Sequence, residues 1–418
     1  MTARLKILAD RNIPYAKEAF SALGDVATLP STELVAEAMR AVDVLLVRST
    51  VKVNEALLGG SQVRFVATAT IGTDHMDLPW LEERGIAWAS APGSNADSVG
   101  QWFASALLTL AERRGFAIDE LTVGVIGVGN VGSRVARIAD ALGCAVLRCD
   151  PPRARAEAFT RTGTLGGLLE PPPGSAARQA RGAGSTPEGE FHSLDALVPA
   201  CDLLTFHVPL THDGPDATLH LLDRTRLARL RGRAIVVNAS RGAVVDNAAL
   251  VEARKAGQVG AALFDVFERE PAVDAEVVAA CDLATPHVAG HSLDGKANGT
   301  RMIYEALCSH LGVAARWTPR RALPPPPVRA LAVDARGLTD EATALLVLRR
   351  FYRIENDDDA LRHIARLPVT ERGAAFQRYR ASYPERRELH GLRVQLLPER
   401  PRAEALLTAL GAEVVALD

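Results

Sequence analysis

The stretch "LTVGVIGVGNVGSRVARIADALGCAVLRCD", residues 121–150, limits the possible folds more than any other part of the chain. An apolar run, "TVGVI", leads straight into Gly127, Gly129 and Gly132 in GxGxxG spacing. "SRVARIADALG" then carries helical periodicity, and "AVLRCD" reads as a second buried strand that ends in Asp150. Six-residue glycine patterns arise by chance in long chains. One that follows a strand and opens a helix specifies a βαβ unit, and hence a parallel sheet covered on both faces.

Each part of that unit has a physical task. Gly127 permits the tight turn, Gly129 lets the backbone approach a pyrophosphate, and Gly132 allows close packing of helix on strand. The helix N-terminus offers unpaired N–H groups and positive potential to an anion. Asp150 follows Gly127 at 23 residues, near the spacing expected of a ribose-binding acid. A carboxylate there accepts hydrogen bonds from a ribose diol and repels a 2′-phosphate, so the expected cofactor is NAD.

The same alternation extends along the first three hundred residues. "LKILAD", "VDVLLVR", "VRFVATAT" and "IAWAS" read as buried strands, with helical periodicity at 14–23, 31–40 and 79–84 and a long helix at 96–114. After the glycine unit come "DLLTFH", "RAIVVNAS", "GAALFDV" and "DLATPH". Strand–helix alternation of this kind predicts two doubly wound, Rossmann-like parallel-sheet domains of the α/β class.

The expected organisation is a flavodoxin-like substrate domain over 1–98 and 286–318, with an NAD domain over 99–285. Residues 152–190, rich in Gly, Pro, Ala and Arg, read as a mobile surface insertion with too little apolar surface to order itself. A stiff Pro-rich linker at 319–330 precedes a small C-terminal α+β domain over 331–418. In that domain 339–352 looks helical, and "LRVQLL", "PRAEALLTALG" and "AEVVALD" give strand, helix and strand.

Composition excludes some functional classes. Lys+Arg 48 against Asp+Glu 50 leaves a net charge of −2, which advertises no basic surface for nucleic acid or anionic lipid. No stretch reaches membrane-spanning length, and the N-terminus lacks the uncharged segment of a signal peptide. Five scattered cysteines without a CxxC pair predict buried reduced thiols in the cytoplasm and no metal site.

Three residues fall at the ends of successive predicted strands: Arg241, Glu270 and His287. In a doubly wound sheet the carboxyl ends of the strands border the ligand crevice. A cation, a carboxylate and an imidazole beside a nicotinamide suit hydride transfer at a hydroxyl-bearing carbon next to a carboxylate. Arg241 can clamp the carboxylate with its planar fork. His287 can take the hydroxyl proton while Glu270 holds its other ring nitrogen and stabilises the imidazolium.

Four separated motifs, "GVIGVGNVGSRVA", "NASRGAVVDNAAL", "FDVFEREP" and "TPHVAG", occur in an order that resembles the D-isomer-specific 2-hydroxyacid dehydrogenases, over about residues 1–318. Finer segments, "VRSTVKVNEALL", "FVATATIGTDHMD", "APGSNA", "LRCDPPRA", "TFHVPLTHDGPDATLHL" and "HSLDGKANGT", are similar to one branch of that family. Its members act on a phosphorylated 2-hydroxy acid and carry an added C-terminal domain used to form a homodimer. The resemblance implies that Arg241 and Glu270 are catalytic, that His287 is the proton donor and acceptor, and that Ser49 and Thr70 touch the substrate. It also implies NAD contacts at Asp150, Asp265, Ala239, Ser240, Arg241 and Gly290, with Asn130 and Val131 lying along the pyrophosphate loop. Arg48, beside Ser49, suits the substrate phosphate, although a structural ion pair explains it equally well.

The chain departs from that pattern at three positions. His291 stands where the family usually has a substrate-contacting tyrosine, and Val208 replaces a usual threonine at a cofactor contact. Gln101 occupies a position usually held by glutamate. Two other readings remain open: a related dehydrogenase for 3-phosphoglycerate or an unphosphorylated acid, and an NADH-sensing interaction protein. The C-terminal "LLVLRRFYRI" offers Arg349, Arg350 and Arg353 either as the solvated edge of a dimer-packing helix or as a reach into a neighbouring subunit's site.

Overall fold

The computed structural model describes residues 4–162 and 190–415, with no side-chain description over 158–162. Two compact units emerge: Met1–Ala96 with His291–Pro325, and Asp97–Gly290 with Pro326–Asp418. In the first, strands β1 (Leu5–Asp10), β2 (Gly24–Leu29), β3 (Val44–Val47), β4 (Phe65–Thr68) and β5 (Ala87–Ala89) pair in the order β2-β1-β3-β4-β5. Every pairing is parallel. This is the flavodoxin-like order, in which ligands gather at the carboxyl ends of the strands. Ile7, Leu45, Leu46 and Val66 are almost wholly buried, as continuous apolar strands covered on both faces require.

Two local expectations change here. Strand β2, "GDVATL", has a mixed burial pattern and gives no strong sequence signal. Residues 31–40 form two 3-10 turns, Ser31–Glu33 and Ala36–Met39, instead of one helix. The buried apolar pair of this segment is Leu34 and Met39. On an α-helix, residues five apart point about 140° from one another, so one helix could not bury both against a single surface.

The second unit holds a six-stranded sheet of β6 (Thr122–Ile126), β7 (Ala145–Cys149), β8 (Leu203–Phe206), β9 (Ala234–Asn238), β10 (Val259–Phe264) and β11 (Leu283–Ala284). Its order is β11-β10-β9-β8-β6-β7, again parallel throughout. The register aligns Cys149, Ile126, Phe206, Asn238, Phe264 and Ala284 in one row across the sheet. The residues that follow, Asp150, Gly127, His207, Ala239, Asp265 and Thr285, therefore line its carboxyl edge. The helix Ala96–Arg114 is buried along most of its length, with Trp102 and Phe103 wholly enclosed.

The same unit contains a three-stranded parallel sheet, β12 (Ala330–Asp334), β13 (Arg393–Leu397) and β14 (Glu413–Val414). Strand, helix and strand occur where "LRVQLL", "PRAEALLTALG" and "AEVVALD" suggest them. Helices Ile354–Arg366 and Val369–Ala381 and strand β12 were not anticipated. Leu345, Leu406 and Val394 share one apolar cluster with Leu107, Ile138 and Val123, so the C-terminal layer and the six-stranded sheet have a common core.

The expected irregular insertion begins instead as a helix, Pro151–Thr162. Two prolines in the first turn need no N–H partner there. The Asp150 carboxylate accepts the Arg153 N–H at 3.1 Å, and Arg153 pairs with Glu157 one turn on at 2.6 Å. Residues 163–189, the rest of that expectation, lie outside the described residues. All five cysteines are buried and unpaired. Among the described residues no helix is long and apolar enough to cross a membrane.

Candidate active site

The glycine loop has the geometry its spacing demands. Gly127 takes φ +82, and a Cβ there would lie 2.6 Å from the His207 carbonyl oxygen and 2.7 Å from Cγ1 of Val208. A Cβ on Gly132 would sit 1.8 Å from the carbonyl oxygen of Gly127, so helix and loop touch through bare backbone. At Gly129, which caps the helix Asn130–Ala141, a Cβ would meet no heavy atom within 4 Å. Nothing in the protein itself requires a glycine at 129. The open space at this helix N-terminus is the cradle a pyrophosphate would fill.

Asp150 stands beside that loop. Its Oδ2 accepts the Val128 N–H at 2.8 Å, which ties the strand end to the glycine turn. The nearby guanidinium of Arg153 is committed to Glu157, to the Val128 carbonyl at 2.8 Å, and to the face of Phe191 at 5.6 Å. A cation spent in this way does not stand ready for a 2′-phosphate, in keeping with a site for NAD.

Arg241 follows β9 on a turn stapled by buried Asn238. The Asn238 Oδ1 accepts the N–H and hydroxyl of Ser240 at 3.1 and 2.8 Å, and its Nδ2 donates to the Arg241 carbonyl at 3.0 Å. The Arg241 guanidinium donates to the Ser240 carbonyl at 2.9 Å. Gly242 lies so close to the next loop that a Cβ would fall 2.0 Å from the Phe267 carbonyl carbon. Asn247 and Glu268 exchange backbone-to-side-chain bonds of 2.8 and 3.2 Å, which lock the Arg241 turn against the loop that carries Glu270.

Glu270 faces His287. Its Oε2 lies 2.7 Å from His287 Nδ1, while its Oε1 accepts the Phe267 N–H at 2.8 Å. One carboxylate oxygen is thus anchored to backbone and the other holds the imidazole. A ring held at Nδ1 by an ionised carboxylate carries its proton there in the neutral form, which leaves Nε2 as the base. His287 adopts φ +56, a left-handed conformation that costs a non-glycine residue about 1–3 kcal/mol and survives only where surrounding bonds enforce it.

Those bonds come largely from Asp265. The His287 N–H donates to the Asp265 carbonyl at 2.8 Å. The Asp265 carboxylate accepts the N–H groups of Val288 and Ala289 at 2.8 and 2.9 Å and the Thr285 hydroxyl at 2.6 Å. Trp102 Nε1 donates to Thr285 Oγ1 at 2.9 Å and completes the chain. Burial pushes the Asp265 carboxyl up to about 6, against the pull of His287 and of these donors. Three bonds to its carboxylate and one to its carbonyl come from residues 285–289, so Asp265, expected as a cofactor contact, organises the loop of His287 and Gly290.

His207, at the same sheet edge, escaped the sequence reading. Its Nε2 lies 2.8 Å from Thr205 Oγ1, its Nδ1 is sealed without a partner, and burial lowers it to about 3, so it stays neutral. In the first unit, Arg48 and Ser49 follow β3 and Thr70 follows β4, at the carboxyl edge of that sheet. Thr70 Oγ1 lies 2.7 Å from Thr68 Oγ1, which lies 3.0 Å from His75 Nε2. Thr68 and His75 were likewise not singled out. His291 precedes the helix Leu293–His310 of the same unit.

Two other features hold basic side chains paired within their own unit. A cavity of about 720 Å³ lined by Arg114, Arg233, Arg254 and Lys255 lies at the amino end of β9 and β10, away from the loops that carry Arg241, Glu270 and His287. Arg254 and Arg114 there donate to the carbonyl of Gly260 and pair with Asp282. Arg349 is bound to Glu112 and Glu355 of its own unit, each at 2.6 Å, which favours the packing role for its helix over a reach into another subunit.

Comparison with known proteins points to one family. A sequence profile described as D-isomer specific 2-hydroxyacid dehydrogenase, NAD binding domain, matches residues 95–169 and 176–289. A domain of unknown function matches 322–411. The chain is 44% identical over 412 residues to an erythronate-4-phosphate dehydrogenase of Azotobacter vinelandii, covering 98% of this chain and 100% of that protein. It is 46% identical over 388 residues to one of Salinibacter ruber, covering 92% of each. Among solved structures, an NAD+-bound 3-phosphoglycerate dehydrogenase of Entamoeba histolytica superposes with a TM-score of 0.58 at 19% identity, over 74% of this chain and 96% of that one. At that identity the likeness concerns the fold.

Proposed function

The chain belongs to the D-isomer-specific 2-hydroxyacid dehydrogenase family, in its erythronate-4-phosphate dehydrogenase branch, and from that premise we propose the following reaction and mechanism. The protein oxidises 4-phospho-D-erythronate at C2 to (R)-3-hydroxy-2-oxo-4-phosphooxybutanoate, a step of pyridoxal 5′-phosphate biosynthesis. NAD, when bound along Gly127–Gly132 and Asp150, supplies the hydride acceptor.

The chain's own residues do the rest. Arg241 grips the substrate carboxylate through two parallel N–H bonds and so fixes the orientation of C2. His287 Nε2 takes the proton of the C2 hydroxyl, and Glu270, 2.7 Å from Nδ1, stabilises the imidazolium. Ser49 and Thr70 bond substrate oxygens, while Arg48 and His291 serve the phosphate end. Asn130, Val131, Val208, Ala239, Ser240, Asp265 and Gly290 border the cofactor. The active form is a cytoplasmic homodimer joined through residues 331–418, a region that leaves apolar Leu346 and Val369 exposed.

The observation that carries the reading is the His287–Glu270 pair at the carboxyl edge of a sheet that also bears the glycine loop. The test is absorbance of reduced cofactor with 4-phosphoerythronate, 3-phosphoglycerate and unphosphorylated 2-hydroxy acids in turn. A kcat/KM highest for 4-phosphoerythronate supports the assignment. A preference for either alternative reassigns the substrate, and no turnover of any of them, with partner affinity that responds to NADH, removes the enzymatic reading.

A further inference from the structure

Strand β11 is the outer strand of the six-stranded sheet, and the loop carrying His287 leaves from it. An edge strand of two residues is a weak foundation for a catalytic group. Side chains from the C-terminal residues hold it from behind. The outward N–H of Ala284 donates to Asp358 Oδ1 at 2.8 Å, and Asp358, itself buried, pairs with Arg362 at 3.0 Å. Arg362 also donates to the Cys281 carbonyl at 2.8 Å, so both ends of β11 are tied down.

Beyond His287, Arg386 takes over. Its Nη2 donates to the carbonyl of Ala289, two residues after His287, and to that of Ser98 at 3.3 Å on the helix Ala96–Arg114. The Arg386 guanidinium lies 4.3 Å over the ring of Tyr352. The hydroxyls of Tyr352, Tyr379 and Tyr383 converge on the carboxylate of Asp357 at 2.9, 2.6 and 2.8 Å, a buried anion beside the buried cation.

Arg386 is only 4% exposed, yet its Nε and Nη1 find no acceptor. A buried charge with unpaired donors costs stability, and an apolar side chain of similar volume would fill the place at lower cost. What such a side chain could not do is grip a carbonyl of the catalytic loop. The Asp265 carboxylate holds the N–H groups of Val288 and Ala289 on one side, and Arg386 holds the Ala289 carbonyl on the other.

We propose that Arg386 is a positioning residue for His287: by fixing the Ala289 carbonyl it keeps the loop in the left-handed turn that presents the imidazole to Glu270. The C-terminal residues, on this account, are part of the catalytic apparatus. The proposal rests on the acid–base role of His287, and its test separates the two.

Arg386→Met, Arg386→Lys and His287→Asn are assayed with 4-phosphoerythronate and NAD from pH 5.5 to 9, alongside thermal unfolding. Displacing a catalytic group by about an ångström costs up to roughly a hundredfold. Arg386→Met should therefore lower kcat about ten- to hundredfold with KM little altered, and should move the acidic midpoint of the kcat profile to lower pH, because an imidazole held less firmly by the Glu270 carboxylate gives up its proton more readily. Arg386→Lys, which reaches one carbonyl but not two, should fall between Met and the parent protein. It serves alone if the Met variant fails to fold.

Arg386 variants that keep the parent midpoint, whether kcat is unchanged or merely lowered along with the melting temperature, overturn the proposal. If His287→Asn is dead while they keep that midpoint, only the positioning role falls. If His287→Asn turns over normally, the mechanism falls and the positioning role with it.

Discussion

His287 and Glu270 meet at 2.7 Å across a loop, with the histidine in a left-handed backbone conformation and the glutamate anchored to the Phe267 N–H. Removing the base should cost about a hundred- to ten-thousandfold in kcat, the usual span for acid–base help. His287→Asn should therefore lose turnover while binding of NADH, followed by its fluorescence, changes little. Glu270→Gln keeps the shape but not the charge and should lie between the two. Near-normal turnover in His287→Asn would remove the mechanism.

The glycine loop separates folding from binding. Gly132→Ala places a methyl against the Gly127 carbonyl and should lower the melting temperature by several degrees, since helix and loop must move apart. Gly129→Ala meets open space and should leave the melting temperature nearly unchanged while weakening NAD binding at least about tenfold. Equal effects of both substitutions on stability would show that position 129 answers to packing.

Burial lowers the His207 pKa from 6.5 to about 3. Between those values the unfolded chain binds a proton that the folded one refuses, so stability falls as pH drops from 6.5 toward 3 and is fully retained above 6.5. His207→Gln removes that contribution. Melting temperatures measured from pH 7 to pH 4 should fall less steeply for the variant, and parallel curves would show that His207 has no part in acid sensitivity.

Gln101 is buried in the helix Ala96–Arg114, and neither its Oε1 nor its Nε2 has a partner. Leaving such groups unpaired costs about 1–3 kcal/mol. Gln101→Met, of similar length and without polar ends, should raise the melting temperature by a degree or more. A fall would mean that the amide has partners in solution.

What could be read from the chain alone was local. The strand, three glycines, helix and Asp150 occupy thirty consecutive residues, and each acts through backbone freedom or a neighbour in the next element. Arg241, Glu270 and His287 were recognisable because parallel strands deliver their carboxyl ends to one edge, and the observed register does align those ends. Weaker local signals misled: Leu34, Val35, Ala38 and Met39 imitate a helical stripe at 31–40 although only Leu34 and Met39 are buried, and a proline-rich start concealed the helix Pro151–Thr162.

The tertiary structure decided what lies behind the site. That Asp265 turns its carboxylate to the loop of His287, and that Arg386 and Asp358 hold that loop and its edge strand, depends on contacts across 97 and 74 residues for the latter two. No periodicity marks such partners, because a buried hydrogen bond is set by where two packed elements happen to cross. Sequence determined which residues could carry out the chemistry; packing determined which of their neighbours keep them in place.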